Sequence, residues 1–228
     1  MRGMAIVWIA AALMAPGHAA AAGQDGMRRI DAKEALFNMY DFTDCVVRVE
    51  GDSATFRTMM RMMPGDPRFV PAYVKTVGDT CGDKLSRLPS TTVQLQADPA
   101  AIRSLLFGAL YRRKFRKSGP PPGLATVAPL TLSSEFDGDV TTIDPDYRVR
   151  RAFGDCVARH DPQAVSDLIL ARPYTDGEGA VIERLTPILG ACIPKGQTVR
   201  LTREGLREDL GEAIYKLAVA AREAPPAG

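Results

Sequence analysis

The chain has 228 residues, 46% of them hydrophobic, and its 29 Lys and Arg nearly balance its 27 Asp and Glu, for a formal net charge of +2. A chain so close to neutral lacks the broad positive charge with which proteins attract nucleic acid, so we expect no nucleic-acid partner. Beyond the first 22 residues no apolar run approaches the roughly 20 residues that a membrane-spanning helix needs.

Residues 1–22 have the pattern of a secretory signal peptide. Arg2 precedes the apolar stretch 5–14, Pro16 and Gly17 interrupt it, and the alanines of 19–22 offer cleavage sites. The alternative is an uncleaved anchor or a buried helix. Because Arg2 is the one charged residue of this segment, cleavage would lower the net charge from +2 to about +1. We therefore expect a periplasmic or secreted protein without a transmembrane segment in its mature chain.

The rest of the chain contains the same unit twice. Asp44-Cys45-Val46-x-Arg48 recurs as Asp155-Cys156-Val157-x-Arg159, and Ala109-Leu110-Tyr111-Arg112 recurs as Ala213-Ile214-Tyr215-Lys216. In each copy a second cysteine, Cys81 or Cys192, follows the first by 36 residues. The duplication predicts helical repeat 1 over 23–118, a Pro/Gly-rich linker with an acidic loop over 119–144, and helical repeat 2 over 145–228.

The duplication also predicts how the cysteines pair. Exported proteins form stable disulfides, and four cysteines allow three pairings. Each unit must have been self-sufficient before it was copied, which selects Cys45–Cys81 and Cys156–Cys192. Each bridge would stabilise the fold by roughly 3–4 kcal/mol in the chain-entropy model. The alternative, free thiols or a metal site, is disfavoured because the chain has no C-x-x-C and no Cys/His cluster at zinc spacing. We expect no cofactor.

Periodicity and capping residues predict four helices in each copy. In repeat 1 they open at Asp31, Asp52, Asp66-Pro67 and Asp98-Pro99, and they end near Val46, Met63, Cys81 and Lys117. In repeat 2 they run over about 147–159, 162–171, 178–191 and 203–221, with Asp161 and Thr202 as N-caps. The predicted fold is all-α: two tandem disulfide-tied four-helix units in a pseudo-symmetric arrangement.

These motifs resemble a group of uncharacterised exported proteins of sphingomonad-like alphaproteobacteria. The group has the Asp-Cys-Val-x-Arg start, the later cysteine and the closing Ala-Leu-Tyr-Arg of each unit. The resemblance covers most of the mature chain but implies no activity and no site residue.

A cluster of methionines is one candidate site. Met59, Met60 and Met63 lie close on one helical face, and thioethers are ligands that suit Cu(I). The alternative is packing, because Met fills irregular gaps in cores. Repeat 2 lacks the methionines, so we expect no metal role that both repeats share, and packing is the preferred interpretation.

Arginines form the second candidate site, for contact with an anion or a partner. Residues 112–117 are a basic run that includes Arg112 and Arg113, and it would suit phosphate groups. The alternative is a solvated helix end, where cations are favoured by the helix dipole. Arg48 and Arg159 recur with the cysteine motif, and they either hydrogen-bond the ends of neighbouring helices or line a shared anion site.

No pattern indicates a catalytic centre. His160 is interpreted as an ordinary surface histidine, and Glu204, Glu208 and Glu212 as a solvated, ion-paired helix face. A carboxylate-based cell-wall hydrolase would need two acids in one cleft, for which Glu135, Asp137 and Glu183 are the guesses. We therefore expect a non-enzymatic module that binds an envelope or periplasmic protein or supports structure. The alternative function is the binding of a small ligand at the seam between the repeats.

Overall fold

A computed structural model describes residues 32–77, 81, 99–193, 195–199 and 201–224. These residues form an all-α structure, and none of them is in a strand. The first half contains α1 (Ala32–Glu50), α2 (Ala54–Met60), α3 (Phe69–Val77) and α4 (Pro99–Phe115). The short helix α5 (Leu132–Glu135) lies between 3-10 turns at Leu124–Thr126 and Val140–Thr142. The second half contains α6 (Pro145–His160), α7 (Pro162–Leu170), α8 (Asp176–Ala191) and α9 (Arg203–Glu223).

Several helices begin where the capping residues predict. The Asp161 carboxylate accepts a hydrogen bond from the backbone N–H of Ala164, with Pro162 as the first residue of α7. The Thr202 hydroxyl accepts from the N–H of Gly205 at the start of α9. These side chains satisfy N–H groups that have no partner within the helix. The predicted starts of both helices are confirmed.

The middle of the first half differs from the prediction. Ser53, not Asp52, caps α2 by accepting from the N–H of Phe56, and the helix ends at Met60 instead of Met63. The Asp52 carboxylate is instead ion-paired with Arg113 of α4. Asp66 accepts from Arg68 in the turn that precedes α3, so this helix starts at Phe69. A tertiary ion pair thus takes Asp52 away from capping, whereas Asp66 is held by a local contact with Arg68. The predicted caps Asp31 and Asp98 lie outside the described residues, as does the predicted signal peptide.

Both predicted disulfides are present. Cys45 of α1 is bonded to Cys81, and Cys156 of α6 is bonded to Cys192 at the C-terminal end of α8. In each half the bridge connects the first helix to the chain that follows the third. Within the described ranges no helix is long and apolar enough to cross a membrane.

Two hydrophobic cores share helix α4. Leu106 and Leu110 belong to the core of the first half, whereas Tyr111 and Phe115 belong to the core of the second. Tyr215 of α9 packs against both cores. Helix α4 makes its most extensive contacts with α9, so the fourth helices of the two halves form the seam between them.

Glycines allow the helices at this seam to approach closely. A Cβ on Gly211 would lie 3.3 Å from the Cα of Gly108, so α9 and α4 nearly touch backbone to backbone. A Cβ on Gly154 of α6 would lie 2.7 Å from the backbone oxygen of Asp209 in α9, too near for any side chain. The segment after α4 also spans the seam, because its Asp137 pairs with Arg61 and its Glu135 with Lys216. The pseudo-symmetric arrangement of two copies stays a prediction.

Candidate functional site

The predicted basic run lines a pocket of about 370 Å³ at the end of α4. Six cationic side chains and a single carboxylate, that of Asp44, face this pocket, which we call the basic pocket. The cations come from α1, α4 and the turn after α4: Arg48, Arg112, Arg113, Lys114, Arg116 and Lys117. The negative end of the α4 dipole, equivalent to roughly half a charge, offsets only a small part of this positive charge.

Two of the arginines are fixed by contacts with α1. Arg112 is buried, and its Nε donates to Asp44 Oδ1 at 2.9 Å while its guanidinium carbon lies 3.5 Å from the centre of the Tyr40 ring. Arg113 donates to the backbone oxygen of Val47 at 2.7 Å and is ion-paired with Asp52. These contacts hold α4 against α1 and set the floor of the basic pocket.

The other cations of the basic pocket are available to a ligand. Arg48, Arg116 and Lys117 are exposed, and among the described residues no carboxylate is within ion-pair distance of any of them. Because no carboxylate of the described ranges pairs with these three side chains, they give the pocket a positive potential that an anion would neutralise.

Arg159, the repeat counterpart of Arg48, does not reach the basic pocket. Its guanidinium donates to the backbone oxygen of Val127 at 2.5 Å and to the carboxylate of Asp155 at 2.6 Å. It therefore follows the other expectation, hydrogen bonding to the end of a neighbouring helix, because Val127 caps the 3-10 turn Leu124–Thr126. The two recurring arginines thus have different surroundings.

An apolar groove of about 490 Å³ runs along the seam between the halves. Its walls come from α2, α4, α9 and the segment around α5. The apolar residues that line it are Phe56, Met60, Phe107, Leu110, Leu130, Tyr215, Val219 and Ala220. A groove of this size with a few polar groups at its edge is typical of sites that bind small molecules.

The groove and the basic pocket meet at Lys114. This residue lines both cavities, and its Nζ donates to the Tyr215 hydroxyl at 3.4 Å. Gly51, at the groove, lies beside Arg113, at the pocket, because a Cβ on Gly51 would be 2.6 Å from a guanidinium nitrogen of Arg113. An apolar cavity therefore adjoins a cationic one on the same surface.

Beneath the groove lies a cluster of buried charges that the sequence did not indicate. Glu212 Oε1 accepts from Arg103 at 3.1 Å and from the Tyr147 hydroxyl at 2.8 Å, and lies 2.7 Å from Lys216 Nζ. Glu135 pairs with Lys216 and Arg151, both at 2.5 Å. The interpretation of Glu212 as part of a solvated helix face is wrong, because its side chain is only 5% exposed.

The charges of this cluster determine the protonation of Glu212. Burial alone would raise the pKa of its carboxyl, but the positive charges of Lys216 and Arg103 outweigh burial and hold the pKa well below its ordinary value. Burial also raises the pKa of the Tyr147 hydroxyl, which therefore stays protonated and donates to Glu212. The cluster thus works as a network of ion pairs rather than as an acid and a base.

The methionines do not converge on one site. Met59 and Met60 are buried in the first core, whereas Met63 packs with Phe136 and Ile143 in a separate small cluster. The contacts favour packing over Cu(I) ligation.

The carboxylates proposed for hydrolysis are likewise dispersed. Glu135 is buried in the ion network, Asp137 pairs with Arg61 at 2.8 Å, and Glu183 is exposed on α8. Two of the three are thus held by ion pairs.

His160 lies beside the second disulfide. Its ring and the sulfurs of Cys156 and Cys192 offer ligand atoms that all lie within 4.8 Å of one another. The sequence signal for this group is Cys-x-x-x-His, since residues four apart share a helix face. Zinc spacing along the sequence does not reveal this group, because its third member, Cys192, lies at the end of another helix.

Comparisons with known proteins identify no relative. No protein-family model, no curated protein and no solved structure matches the chain. The resemblance to exported alphaproteobacterial proteins stays a prediction, and function is argued from geometry and chemistry.

Proposed function

We propose that the protein is an exported, non-enzymatic helical module that binds an anionic amphiphile. The phosphate group of the ligand occupies the basic pocket, and its apolar part lies in the groove along the seam. The observation that carries this proposal is the junction of the two cavities at Lys114. Export is supported by the signal-like N-terminus and by two disulfides, which are compatible with folding in an oxidising compartment.

The chemistry of the basic pocket favours phosphate. Arginine presents planar, always-charged donors that pair with phosphate oxygens in a bidentate manner. Arg48 and Arg116 have such donors without a carboxylate partner among the described residues, and Lys117 adds a third free charge. A cavity of about 370 Å³ accommodates a compact, multiply charged group.

The envelope or periplasmic protein expected from the sequence fits this surface less well. Stable protein interfaces bury roughly 800 Å² on each partner and have a largely apolar centre. The basic pocket is concave and charged, unlike the apolar centre of a typical protein interface. The apolar groove has walls for an acyl chain, and burying each CH₂ there contributes about 0.8 kcal/mol to binding.

Catalysis is less well supported than binding. Glu135 at the groove and Glu212 beneath it are each paired with two cations, and the remaining carboxylate that lines the groove, Glu223, is exposed at its edge. A general acid needs a raised pKa, whereas the pKa of Glu212 is lowered.

Calorimetric titration of the mature protein with three probes tests the proposal. The probes are short-chain phosphatidylglycerol as monomers, phosphatidylcholine of equal chain length, and inorganic pyrophosphate. Phosphatidylglycerol should bind at least about tenfold more tightly than the other two, because it alone is a net anion with an acyl part. Pyrophosphate binding as tightly as the lipid would assign the pocket to a free anion and refute the amphiphile.

A matched pair of variants locates the binding. Arg48→Glu/Lys117→Glu should abolish phosphatidylglycerol binding, while Lys75→Glu/Lys195→Glu, which changes the net charge equally at exposed positions outside the pocket, should retain it. Equal effects of the two variants would mean that only net charge matters. An acidic protein captured by the wild type, with no lipid bound, would restore the partner expected from the sequence.

A further inference from the structure

Within the described ranges, a side chain that could bind a metal completes a group with the second disulfide, and no such group forms at the first. Cys156 and His160 are four residues apart on α6, and Cys192 completes the group with ligand atoms within 4.8 Å. The position equivalent to His160 in the first half, four residues after Cys45, is Val49, which is 50% exposed. In the described part of the chain, Cys156, His160 and Cys192 are the only such group.

The second disulfide is also the more accessible one. Cys45 and Cys81 are 5% and 1% exposed, so both sulfurs of the first bridge are shielded. Cys156 is half-buried and lines an open pocket of about 320 Å³, and His160 is exposed. Cys192 is only 6% exposed, so a reductant and a metal ion reach the second bridge from the side of Cys156.

We propose that Cys156, His160 and Cys192 form a redox-controlled site for a soft divalent cation, with Zn²⁺ as the expected ion. As a disulfide the two sulfurs are bonded to each other and offer no thiolate. After reduction, two thiolates and one imidazole provide three of the four ligands of a tetrahedral zinc ion, and a water or a ligand group takes the fourth position. The proposal is independent of the amphiphile site.

The site changes state by thiol–disulfide exchange, which is followed by metal binding. A dithiol transfers two electrons and two protons to the Cys156–Cys192 bond, so the S–S bond breaks, two thiols form, and the dithiol becomes a disulfide. Binding of Zn²⁺ then displaces the two thiol protons to solvent, and the neutral imidazole binds through a ring nitrogen. Re-oxidation of the two thiolates by a disulfide expels the ion.

The first experiment determines which of the two disulfides of the wild-type protein is reduced first. The mature chain is treated with limiting phosphine reductant, the free thiols are alkylated, and the peptides are identified by mass spectrometry. Alkylation should appear at Cys156 and Cys192 before it appears at Cys45 and Cys81. Alkylation of the first pair ahead of the second would contradict the proposal.

Metal binding is then measured with Co²⁺ as a spectroscopic probe and by Zn²⁺ competition. The reduced chain should bind one ion with the absorption of a tetrahedral thiolate site, and the oxidised chain none, while circular dichroism shows that the helices persist. His160→Gln should weaken binding by more than the roughly 10–100-fold that loss of a ligand's hydrogen-bond partner costs.

Val49→Gln is the matched control, because it alters the corresponding surface position beside the first disulfide and should leave affinity unchanged. Binding of equal strength by the His160→Gln variant, or no ion bound by the folded reduced wild type, would overturn the proposal. Since both substitutions are at solvent-exposed positions, neither result depends on a core residue.

Discussion

Replacing Glu212 by Gln is the sharpest test of the buried ion network. The substitution keeps the size of the side chain and an oxygen that accepts from Tyr147, but it removes the negative charge. Glu212 lies against Arg103 and Lys216, and it is 5% exposed. Within the network, three cations then face the single carboxylate of Glu135.

The expected loss is large because a buried charge remains without its partner. Removing one member of a buried ion pair costs about 3–5 kcal/mol of unfolding free energy. The pKa of Glu212 is lowered from its ordinary 4.5, so its contribution is present above that value and is lost as pH falls through the folded-state pKa. The difference between the wild type and the variant should therefore be full at pH 7 and shrink in acid.

Urea denaturation with intact disulfides, followed by circular dichroism, measures this difference. Glu183→Gln is the control, because this exposed carboxylate should change stability by no more than about 0.5 kcal/mol. In the double variant Glu212→Gln/Lys216→Gln part of the loss should be recovered, since one unpaired cation is removed with the anion. A loss below about 1 kcal/mol at pH 7, or one that does not vary with pH, would refute the reasoning.

Three further predictions concern stability and metal binding. Burial raises the pKa of Asp209 to about 6, against an ordinary 3.8, so this carboxylate opposes folding at neutral pH. At pH 7 the Asp209→Asn substitution should raise the unfolding free energy by at most about 3 kcal/mol. Below the ordinary pKa of the carboxyl group it should have no effect. An equal gain in acid, measured by urea titration, would contradict this. Gly154→Ala should cost about 1–3 kcal/mol by forcing α6 and α9 apart, while Gly179→Ala in α8, where a Cβ meets nothing within 4 Å, should be neutral or stabilising in the same assay. Met59→Leu/Met60→Leu should lower stability by less than about 1.5 kcal/mol and leave Cu(I) binding, measured against a chelator, unchanged; a lost Cu(I) site would revive the ligand hypothesis.

Much of the fold follows from local and repeated features of the sequence. The disulfide pairing follows from the recurrence of the cysteine motif at equal spacing, and the starts of α7 and α9 follow from side chains that cap locally, Asp161 and Thr202. One error arises where a distant partner competes for the same side chain. Asp52 is a good N-cap by sequence, but Arg113 on α4 takes its carboxylate, and the adjacent Ser53 caps α2 instead.

The candidate site is less predictable from the sequence than the fold, because its residues come together only through tertiary packing. The basic run 112–117 and the recurring Arg48 are separate features of the sequence, and only the packing of α4 on α1 brings them into one pocket. Glu212 is buried, contrary to the prediction, because α9 packs on both α4 and α6, and these contacts bury more of the circumference of α9 than one apolar stripe predicts. The sequence predicts an ordinary surface histidine at His160, because Cys192 is distant in sequence and is brought close to it only by helix packing.

Mapping the ligand onto the mature protein by NMR tests the proposed function most directly. Amide chemical shifts are followed during titration with short-chain phosphatidylglycerol and, separately, with pyrophosphate. The lipid should shift residues of the basic pocket, such as Arg48 and Lys117, together with Val219 and Ala220 of the groove, whereas pyrophosphate should shift the pocket alone. Shifts confined to other surfaces, or no saturable shifts with either ligand, would contradict the assignment of this surface as an anionic-amphiphile site.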